Sequence, residues 1–388
     1  MVNKYLLNSE IQEYIDNHLE SDLTALLLKK SPFEKVTMPE LISQIKGKKV
    51  AKKKYPFLLK YPIIFPPSLS LEQSSSSATA QYKASELQGE KLIDLTAGFG
   101  IDAYFLSKGF KKLSLVEKQE HLAELLEYNF NVLGKNPKVI NKDLYQFLEN
   151  NTEKFDLIYS DPARRDVKKK KVFLLEDLFP NILELKESLF KIGDTILIKL
   201  SPLIDIRYLL KEIPTIHKIE IVAVRNEVKE LLITLKKNHA TSTLIKCVNL
   251  ESQDPDFTFF HEEKFSIEPI YGKVEKYLYI PNNAVLKSGA FNLPTKMFGL
   301  HKLHPNTHMY TSNTLVSDFP GRVMEVETIQ GKEIKKKEKF NIISKNHPLK
   351  PEEIKKKYSV NDGGVNYLIF TIDTQGKIIL KSKQIFGQ

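Results

Sequence analysis

The stretch "KLIDLTAGFGIDAYFLSKG", Lys91–Gly109, decides the fold class of this chain. A short apolar run ends in a turn that contains Gly98 and Gly100, and a helical pattern closed by Gly109 follows. Glycines in such a turn allow the backbone to pass close to a ligand at the carboxyl edge of a parallel sheet. Ala103 stands where the pattern G-x-G-x-x-G would place its third glycine. The turn alone therefore predicts either a ligand site or a tight connection between a strand and a helix.

Strand and helix patterns alternate downstream of this stretch. Apolar, strand-like runs separated by helical patterns are "KKLSLVE", "KVINKD", "FDLIYSD" and "DTILIKLSP". One continuous helix is predicted for "LLEDLFPNILELKESLF", before the last of these strands. Two strands joined around Arg225-Asn226-Glu227 complete the series. This alternation predicts an α/β fold with a parallel, doubly wound sheet that ends in a hairpin.

A helical region, residues 1–66, is predicted before the sheet. "NSEIQEYIDNHL" places apolar residues at helical spacing, and Thr37 precedes Pro39 in a pattern typical of a helix start. The chain from residue 55 to "SSSS" is rich in proline and serine and is predicted to be irregular. Thr79 and Lys83, just after these serines, are predicted to line the substrate side of a site, with a plain linker as the alternative. After about residue 265, short strands, helices and turns predict a separate α+β region.

The composition limits the classes of protein that this chain can be. Its 388 residues are 41% apolar and 10% aromatic, enough for folded cores. The single cysteine, Cys247, cannot form an internal disulfide, which fits a reducing compartment, and no Cys/His spacing is typical of a metal site. No apolar run has the length of a transmembrane helix, and acids stand where a signal peptide would be apolar. We therefore expect a cytoplasmic monomer with no metal and no membrane contact.

Positive charge is concentrated in four clusters. The chain has 58 basic and 48 acidic residues and a formal net charge of +10 at pH 7. The clusters are residues 46–54, 164–171, 332–339 and 355–357. Such clusters attract nucleic acid in a salt-dependent manner. The alternative is a lysine-rich surface that is simply solvated.

Carboxylates stand at the ends of three successive predicted strands: Asp94, Glu117 and Asp143. In a parallel sheet these positions meet at one edge, where an acid after the second strand can accept both hydroxyls of a ribose. Asp94 would repel the pyrophosphate of a dinucleotide, whereas it can accommodate the ammonium and sulfonium groups of S-adenosylmethionine. The run from Asp94 to Glu117 resembles motif I, and the acidic position after it, of class I methyltransferases.

The stretch "SDPARRDVKKKK", Ser160–Lys171, follows the fourth predicted strand, where class I methyltransferases present the group to be methylated. It resembles the [D/N]PP[Y/F/W] motif of enzymes that methylate amino groups of nucleobases, in which the Asp and a backbone carbonyl hold the amine. Asp161 and Pro162 match this motif, while Ala163 and Arg164 depart from it. Arg164 can still stack on a base or pair with a phosphate. A basic loop after a strand is the alternative.

The same stretch is similar to the "DPPR" of enzymes that methylate pyrimidine C5, which need a cysteine nucleophile. The fifth predicted strand ends in Ser201-Pro202 instead, and Cys247 lies beyond the last predicted strand. C5 chemistry is therefore disfavoured, and Cys247 is predicted to be a packed thiol.

A series of motifs narrows the resemblance. In chain order they are "EQSSSSATAQYKA", "DLTAGFGID", "SDPARR", "IKLSP", "GAFNLPTKMFGLHKLHPNTHMYTSN", "FPGRVMEV" and "KNHPL…DGGVNYLIFT". The combination resembles a family of bacterial class I methyltransferases with a ferredoxin-like segment and a C-terminal THUMP-like domain. The resemblance implies a Rossmann-like, seven-stranded methyltransferase sheet. It divides the chain into a helical N-terminal region (1–66), a methyltransferase domain (67–250), a ferredoxin-like segment (265–317) and a small α+β THUMP-like domain (318–388).

The resemblance also implies roles for single residues. Those implied to bind the cofactor, S-adenosyl-L-methionine, are Asp94, Thr96, Ala97, Gly98, Gly100, Glu117, Lys118, Asp143 and Leu144. Those implied in catalysis are Asp161, Pro162 and Arg164. Those expected to bind the substrate are Arg165, Lys168, Lys169, Lys83 and Thr79.

THUMP domains capture RNA in tRNA-modifying enzymes, so the resemblance implies methylation of a base in RNA, either rRNA or tRNA. Two alternatives stay open. One is a methyltransferase for a small molecule or a protein. The other is a non-catalytic RNA-binding protein with a degenerate methyltransferase fold, because "DPAR" departs from the known motif.

Overall fold

The computed structural model of the chain describes residues 2–66, 74–164, 174–238 and 242–386. The chain forms two compact units. The first comprises Met1–Ile204, Tyr208–Pro214 and Ile233–His239, and the second comprises Asp205–Arg207, Thr215–Leu232 and Ala240–Gln388. Within the described ranges, every helix is too short or too polar to cross a membrane.

Helices form the N-terminal part of the first unit, as predicted. They are α1 Ser9–Asn17, α2 Leu23–Leu27, α3 Met38–Lys54 and α4 Ser77–Ala84. Thr37 caps α3: its hydroxyl accepts the amide of Glu40 at 3.4 Å, and the Glu40 carboxylate accepts the amide of Thr37 at 2.7 Å. Pro39 lies in the first turn, where a missing amide proton is tolerated. Ile15 of α1 and Leu41 of α3 are fully buried in one cluster, which holds these helices together.

Alternating strands and helices follow. The strands up to residue 260 are β1 Gly89–Asp94, β2 Phe110–Val116, β3 Lys138–Ile140, β4 Leu157–Ser160, β5 Ala163–Arg164, β6 Leu178–Phe179, β7 Thr195–Leu200, β8 Ile216–Val224, β9 Glu227–Lys236, β10 Leu244–Leu250 and β11 Phe257–Phe260. The helices are α5 Ile101–Leu106, α6 Glu120–Val132, α7 Leu144–Asn150, α8 Ile182–Ile192 and α9 Ile206–Glu212.

Five of the strands before residue 201 form a parallel arrangement. β1 is parallel to β2 and to β4, β2 is parallel to β3, and β4 is parallel to β7. Ile93 of β1, Ile158 of β4 and Ile196 of β7 are fully buried, as expected for strands covered by helices on both faces. The predicted α/β class is therefore confirmed.

The sheet has nine strands in the described residues, where the sequence predicts seven. Its order is β11-β10-β8-β9-β7-β4-β1-β2-β3. The extra strands are β10, which is parallel to β8, and β11, which is antiparallel to β10. The short pattern "LIKCVNL" of β10 lies beyond the hairpin at which the predicted fold ends. A run of this length does not show by itself which sheet it joins.

The segment predicted as one helix before β7 begins instead with a short 3-10 helix, Leu175–Asp177, followed by the two-residue strand β6. β5 and β6 pair in antiparallel fashion, with Ala163 opposite Phe179. Pro180 lacks an amide proton and disfavours helical backbone at Phe179, so α8 begins only at Ile182. Asn181 caps this helix by accepting the amide of Leu183 at 3.1 Å. The strand pair places Phe179 next to the chain that follows β4.

The second unit contains a seven-stranded sheet. Its strands are β12 Tyr277–Pro281, β13 His301–His304, β14 Thr307–Ser312, β15 Gly321–Ile329, β16 Lys339–Ser344, β17 Asn361–Asp373 and β18 Gly376–Phe386, in the order β13-β14-β12-β15-β18-β17-β16. The helices are α10 Asn283–Ser288, α11 Leu293–Phe298 and α12 Pro351–Tyr358. Leu278, Met324, Ile369 and Leu380 are fully buried between these elements. This is the α+β region expected after residue 265.

Candidate functional site

A cleft of about 320 Å³ lies at the carboxyl ends of β1, β2, β3, β4 and β7. All the residues expected to bind the cofactor line it: Asp94, Thr96, Ala97, Gly98, Gly100, Glu117, Lys118, Asp143 and Leu144. Asp161 lines the cleft as well. The fold therefore brings the end of the fourth strand to the same cavity as the turn after the first.

The turn after β1 depends on two glycines with left-handed backbone. Gly98 has a φ of 54° and Gly100 a φ of 82°. A Cβ atom at Gly100 would lie 2.5 Å from the ring of Phe130 on α6, so a larger residue has no space there. At Gly98 a Cβ atom would meet only the carbonyl of Thr96, at 3.8 Å, so the backbone conformation is the constraint. The two glycines hold the backbone of this turn along the cleft.

Two further acids mark the ends of β2 and β3. Glu117 is buried, and its Oε1 accepts the amide of Gln119 at 2.8 Å. Asn141 steadies the backbone there by donating to the carbonyl of Glu117 at 2.9 Å. Asp143 caps α7 by accepting the amide of Tyr145 at 2.9 Å. A carboxylate that accepts one backbone amide still has lone pairs that can accept hydrogen bonds from the hydroxyls of a ribose. The polar groups of this part of the cleft therefore fit an adenosyl group.

A chain of hydrogen bonds joins the turn after β1 to the end of β4. Oδ1 of Asp94 accepts the amide of Thr96 at 2.8 Å and its hydroxyl at 3.3 Å. The Thr96 hydroxyl oxygen accepts the amide of Asp161 at 2.7 Å. Burial raises the pKa of Asp94 to about 7; the negative charges of Asp102 and Asp161 add to the rise, and the hydrogen bonds from Thr96 oppose it. Asp94 therefore changes charge near neutral pH.

A buried charge network centred on Asp102 adjoins the cleft, and the sequence motifs did not point to it. Lys83 Nζ lies 3.2 Å from Asp102 Oδ1, and Lys199 Nζ lies 3.3 Å from Oδ2. Tyr159 and Ser75 donate their hydroxyls to Oδ2 at 2.6 and 2.8 Å. Burial opposes ionisation of Asp102, but the two lysines prevail and hold its pKa well below the usual range. Asp102 is therefore ionised at neutral pH.

Lys199 connects this network to Asp161. Its Nζ lies 2.6 Å from Asp161 Oδ2. Burial raises the pKa of Asp161, and the ammonium of Lys199 opposes this rise. One signal in the sequence could have identified Lys199: a lysine inside the otherwise apolar run "TILIKL" is rarely buried without a partner. Asp102, in the first turn of the helix that follows the glycines, offers a weaker signal of the same kind.

An aromatic ring lies beside the cleft although "DPAR" itself contains none. Phe179 of β6 lines the cleft, and Lys118 Nζ lies 5.0 Å from the centre of its ring. The ring centre of Tyr145 is 6.0 Å from that of Phe179. The ring is supplied by a segment that is separate in sequence and reaches this position through the pairing of Phe179 with Ala163.

The other residues expected in catalysis lie just outside the cleft lining. Pro162 is buried, and Arg164 is half-buried in β5. Arg165, Lys168 and Lys169 lie in the stretch 165–173, outside the described residues. Their predicted contacts with the substrate stay predictions.

Thr79 and Lys83 are placed differently from the expectation that they contact the substrate. Both are buried in α4, with 1% and 3% of their surface exposed. The Thr79 hydroxyl donates to the carbonyl of Ser76 at 3.2 Å, and the Lys83 ammonium faces Asp102. Both side chains make their contacts inside the domain, so neither is accessible to a large substrate. Ser75, just before α4, does line the cleft.

Cys247 is buried in β10, and burial raises the pKa of its thiol to about 12. A thiol that stays protonated is a poor nucleophile, which agrees with the predicted packed cysteine. In the part of the chain that the structure describes, no three His, Cys, Asp or Glu side chains are grouped to hold a metal ion.

Family models match three parts of the chain. Residues 77–183 match a family described as conserved hypothetical protein 95, residues 277–320 a ferredoxin-like domain, and residues 322–382 a THUMP-like domain. No curated protein matches the chain. The ferredoxin-like and THUMP-like parts occur in the predicted order, which confirms the resemblance that the motifs indicate.

Solved structures are similar to the chain over different lengths. A crystal structure of a "putative methyltransferase" from Porphyromonas gingivalis W83 is 29% identical, covers 100% of this chain and 99% of its own, and has a TM-score of 0.86. An rRNA methylase from Streptococcus thermophilus is 16% identical over 41% of this chain and 94% of its own, with a TM-score of 0.30. TrmK from M. capricolum, in complex with S-adenosyl-homocysteine, is 13% identical over 41% of this chain and 68% of its own, with a TM-score of 0.32. The first similarity confirms the fold class.

Proposed function

We propose that this protein is an S-adenosylmethionine-dependent methyltransferase that methylates a base of RNA. One observation carries the proposal: Gly98, Gly100, Glu117, Asp143 and Asp161 converge on one cleft at the carboxyl edge of a parallel sheet. Such a cleft offers a nucleoside pocket next to a group that can orient an acceptor. The whole-chain similarity to the "putative methyltransferase" from P. gingivalis supports the reaction class.

The polar groups of the cleft fit S-adenosyl-L-methionine. Glu117 offers carboxylate oxygens to the ribose hydroxyls, and Asp143 and Leu144 border the neighbouring side of the cleft. Asp94, when ionised, favours positively charged ammonium and sulfonium groups. The left-handed turn at Gly98 lets the backbone follow the ligand closely. When bound, this cofactor supplies an electrophilic methyl group.

Asp161 orients the acceptor amine. Thr96 holds its backbone amide and Lys199 holds one of its carboxylate oxygens, so its position is fixed from two sides. Its side chain is 37% exposed, so it can reach a group that enters the cleft. A carboxylate that accepts an N–H hydrogen bond turns the nitrogen lone pair in a defined direction. Positioning of this kind is the main requirement of a direct methyl transfer.

Charge supports RNA as the substrate. Two lysine clusters in the second unit, residues 335–337 and 356–357, are exposed. The amide of Lys337 donates to the carbonyl of Ser359 at 2.7 Å, so these clusters, separate in sequence, lie at neighbouring positions. We call residues 335–337 and 356–357 the lysine face. Exposed lysines of this kind bind phosphates and position a nucleic acid without reading its sequence.

The test is a methyl-transfer assay with S-adenosylmethionine and total RNA from cells that lack the gene. We expect transfer by the wild type and a loss of about a hundredfold or more in Asp161→Ala, because a positioning contact is lost. Asp194→Ala, which removes an exposed acid just before β7, is the matched control and should keep full activity. Calorimetry should show the same affinity for the cofactor in all three proteins.

The other outcomes distinguish the alternatives. Transfer to protein or to small metabolites, with none to RNA, would select a methyltransferase with another substrate. Binding of both cofactor and RNA without any transfer would select an RNA-binding protein with a degenerate methyltransferase fold. Full activity of Asp161→Ala would mean that "DPAR" has no catalytic role and belongs to a basic loop after a strand.

A further inference from the structure

Lys199 is surrounded by acceptors at the end of β7. Its Nζ lies 2.6 Å from Asp161 Oδ2, 3.1 Å from Ser75 Oγ and 3.3 Å from Asp102 Oδ2. An ammonium group has three hydrogens, and these three acceptors match them. Only 10% of the side chain is exposed, so water does little to screen these contacts. The direction of the ammonium is therefore set by three separate segments of the first unit.

Stability alone is a weak reason for such an arrangement. Removing a lysine and two carboxylates from water is costly, and a buried ion pair is often no more stabilising than apolar residues of similar volume. The rest of β7 is apolar, with Ile196, Leu197 and Ile198 buried. An apolar residue at position 199 would match that pattern. The ammonium instead lies against the one carboxylate, Asp161, that is both exposed to the cleft and expected to hold the acceptor.

We propose that Lys199 is a positioning residue for methyl transfer: its ammonium holds Oδ2 of the Asp161 carboxylate, which leaves Oδ1 to accept a hydrogen bond from the acceptor. This role rests on the proposed function of Asp161. Ser75 and Asp102 hold Lys199 in place from the opposite side, and Lys83 balances the charge of Asp102. The network therefore extends from α4 to the acceptor end of the cleft.

The charges around Asp161 determine what loss of Lys199 would do. The titratable groups that face this carboxylate, directly or through Asp102 and Lys199, include Asp94 of β1, Asp102 of α5, Lys83 of α4, Tyr55 after α3, Tyr159 of β4 and Lys199 of β7. Without Lys199 the Asp161 carboxylate is left near two other acids, and the ammonium of Lys83, which faces Asp102, lowers the pKa of Asp161 less than Lys199 does. The pKa of Asp161 should then rise, because burial and Asp102 already raise it and Lys199 is the largest opposing influence.

The kinetic test compares Lys199→Met and Lys199→Arg with the wild type. In Lys199→Met we expect kcat at pH 7 to fall at least tenfold with KM changed less than threefold, and the acidic limb of the kcat–pH profile to move to higher pH. Lys199→Arg keeps the positive charge, so its kcat should be close to that of the wild type and the acidic limb of its kcat–pH profile should lie at the wild-type position. The limb should be absent from the residual activity of Asp161→Asn, since its side chain does not ionise. A wild-type profile in Lys199→Met, or an equal loss in Lys199→Arg, would overturn the proposal.

A second measurement does not depend on activity. Carboxyl-carbon NMR of protein labelled at aspartate, with Asp161→Asn to assign the signal, follows ionisation of Asp161 in the wild type and in Lys199→Met. The midpoint should be at least one pH unit higher in Lys199→Met, and an unchanged midpoint would refute the role of Lys199. If the wild type methylates nothing, the proposed function fails, but this titration still measures the effect of Lys199 on the ionisation of Asp161. Should Lys199→Met not fold, as judged by its melting curve, Lys199→Gln gives the same comparison with a polar side chain of similar reach.

Discussion

The backbone amide of Asp161 donates a hydrogen bond to the hydroxyl of Thr96 at 2.7 Å. The two residues are far apart in sequence, at the ends of β4 and β1, which are neighbours in the sheet. The bond ties the acceptor end of the cleft to the glycine turn at its cofactor end. Because of this bond, the Thr96 hydroxyl holds the backbone of Asp161 in addition to lining the cofactor end of the cleft.

Thr96→Val should therefore impair transfer more than cofactor binding. The variant keeps the β-branched shape but leaves the Asp161 amide without its acceptor. We expect kcat to fall about tenfold, because small misplacements of a positioning group are costly. Thr96→Ser keeps the hydroxyl and is the matched control, with activity near wild type. A steady-state comparison of the three proteins is the measurement, and equal activity of the Val and Ser variants would contradict the role of the hydroxyl.

Glu117→Ala should weaken binding of S-adenosylmethionine at least tenfold. The buried carboxylate is the acceptor expected for the ribose hydroxyls, and a hydrogen bond to a charged group is worth about 1.5–3 kcal/mol. Glu120→Ala removes an exposed acid three residues further on and should leave the affinity unchanged. Isothermal calorimetry on both variants decides the matter. Wild-type affinity in Glu117→Ala would remove Glu117 from the cofactor site.

Cofactor affinity should increase as the pH rises through about 7. The pKa of Asp94 is raised to about 7 from an ordinary value of 3.8, so the side chain is neutral below that pH and negative above it. A positively charged ligand binds the negative form more tightly, and the dissociation constant should fall about tenfold between pH 6 and pH 8. Asp94→Asn removes the ionisation and should flatten this dependence. The same pH dependence in both proteins would assign it to another group.

Asp102→Asn should lower the free energy of unfolding by about 3–5 kcal/mol at pH 7, because Lys83 and Lys199 lose their shared anion inside the domain. The pKa of Asp102 is lowered in the folded protein, so its stabilising effect is present above the ordinary value of 3.8 and is lost as the pH falls below it. The difference between variant and wild type should therefore shrink towards low pH. Urea unfolding at several pH values measures this.

A second variant controls for that result. Adding Lys83→Met to Asp102→Asn removes one of the two ammonium groups that have lost the Asp102 carboxylate, and it should recover part of the lost stability. No recovery would mean that loss of the Tyr159 and Ser75 hydrogen bonds, rather than charge, accounts for the effect.

RNA affinity should decrease steeply with salt, and the lysine face should contribute to that dependence. Replacing Lys335, Lys336 and Lys337 by Gln removes three exposed charges and should reduce the slope of log K against log salt by about 2. The same change at Lys29, Lys30 and Lys60, which are exposed in the N-terminal region, is the control. Filter binding at several salt concentrations gives the slopes. Equal slopes for the two triple variants would exclude the lysine face as an RNA contact.

The sequence by itself determined the fold class and the cofactor half of the cleft. Apolar runs that alternate with helical patterns are local signals, and a parallel sheet necessarily brings the carboxyl ends of its strands to one edge. Residues directly after successive strands, such as Gly98, Glu117 and Asp143, could therefore be placed together without coordinates. The same reasoning brought Asp161 to that edge.

Only the tertiary structure decided which side chains surround Asp161. Lys199 meets Asp102 across 97 residues and Ser75 across 124, and such contacts depend on how α4, α5 and β7 pack rather than on any local pattern. Lys83 turned out to be buried because one face of α4 packs inward, which a basic residue in a polar segment does not reveal. Phe179 reached the cleft because Pro180 ended a helical pattern and allowed a two-residue strand to pair with Ala163. Long-range packing, which short sequence patterns do not encode, set the charge and the geometry of the acceptor end.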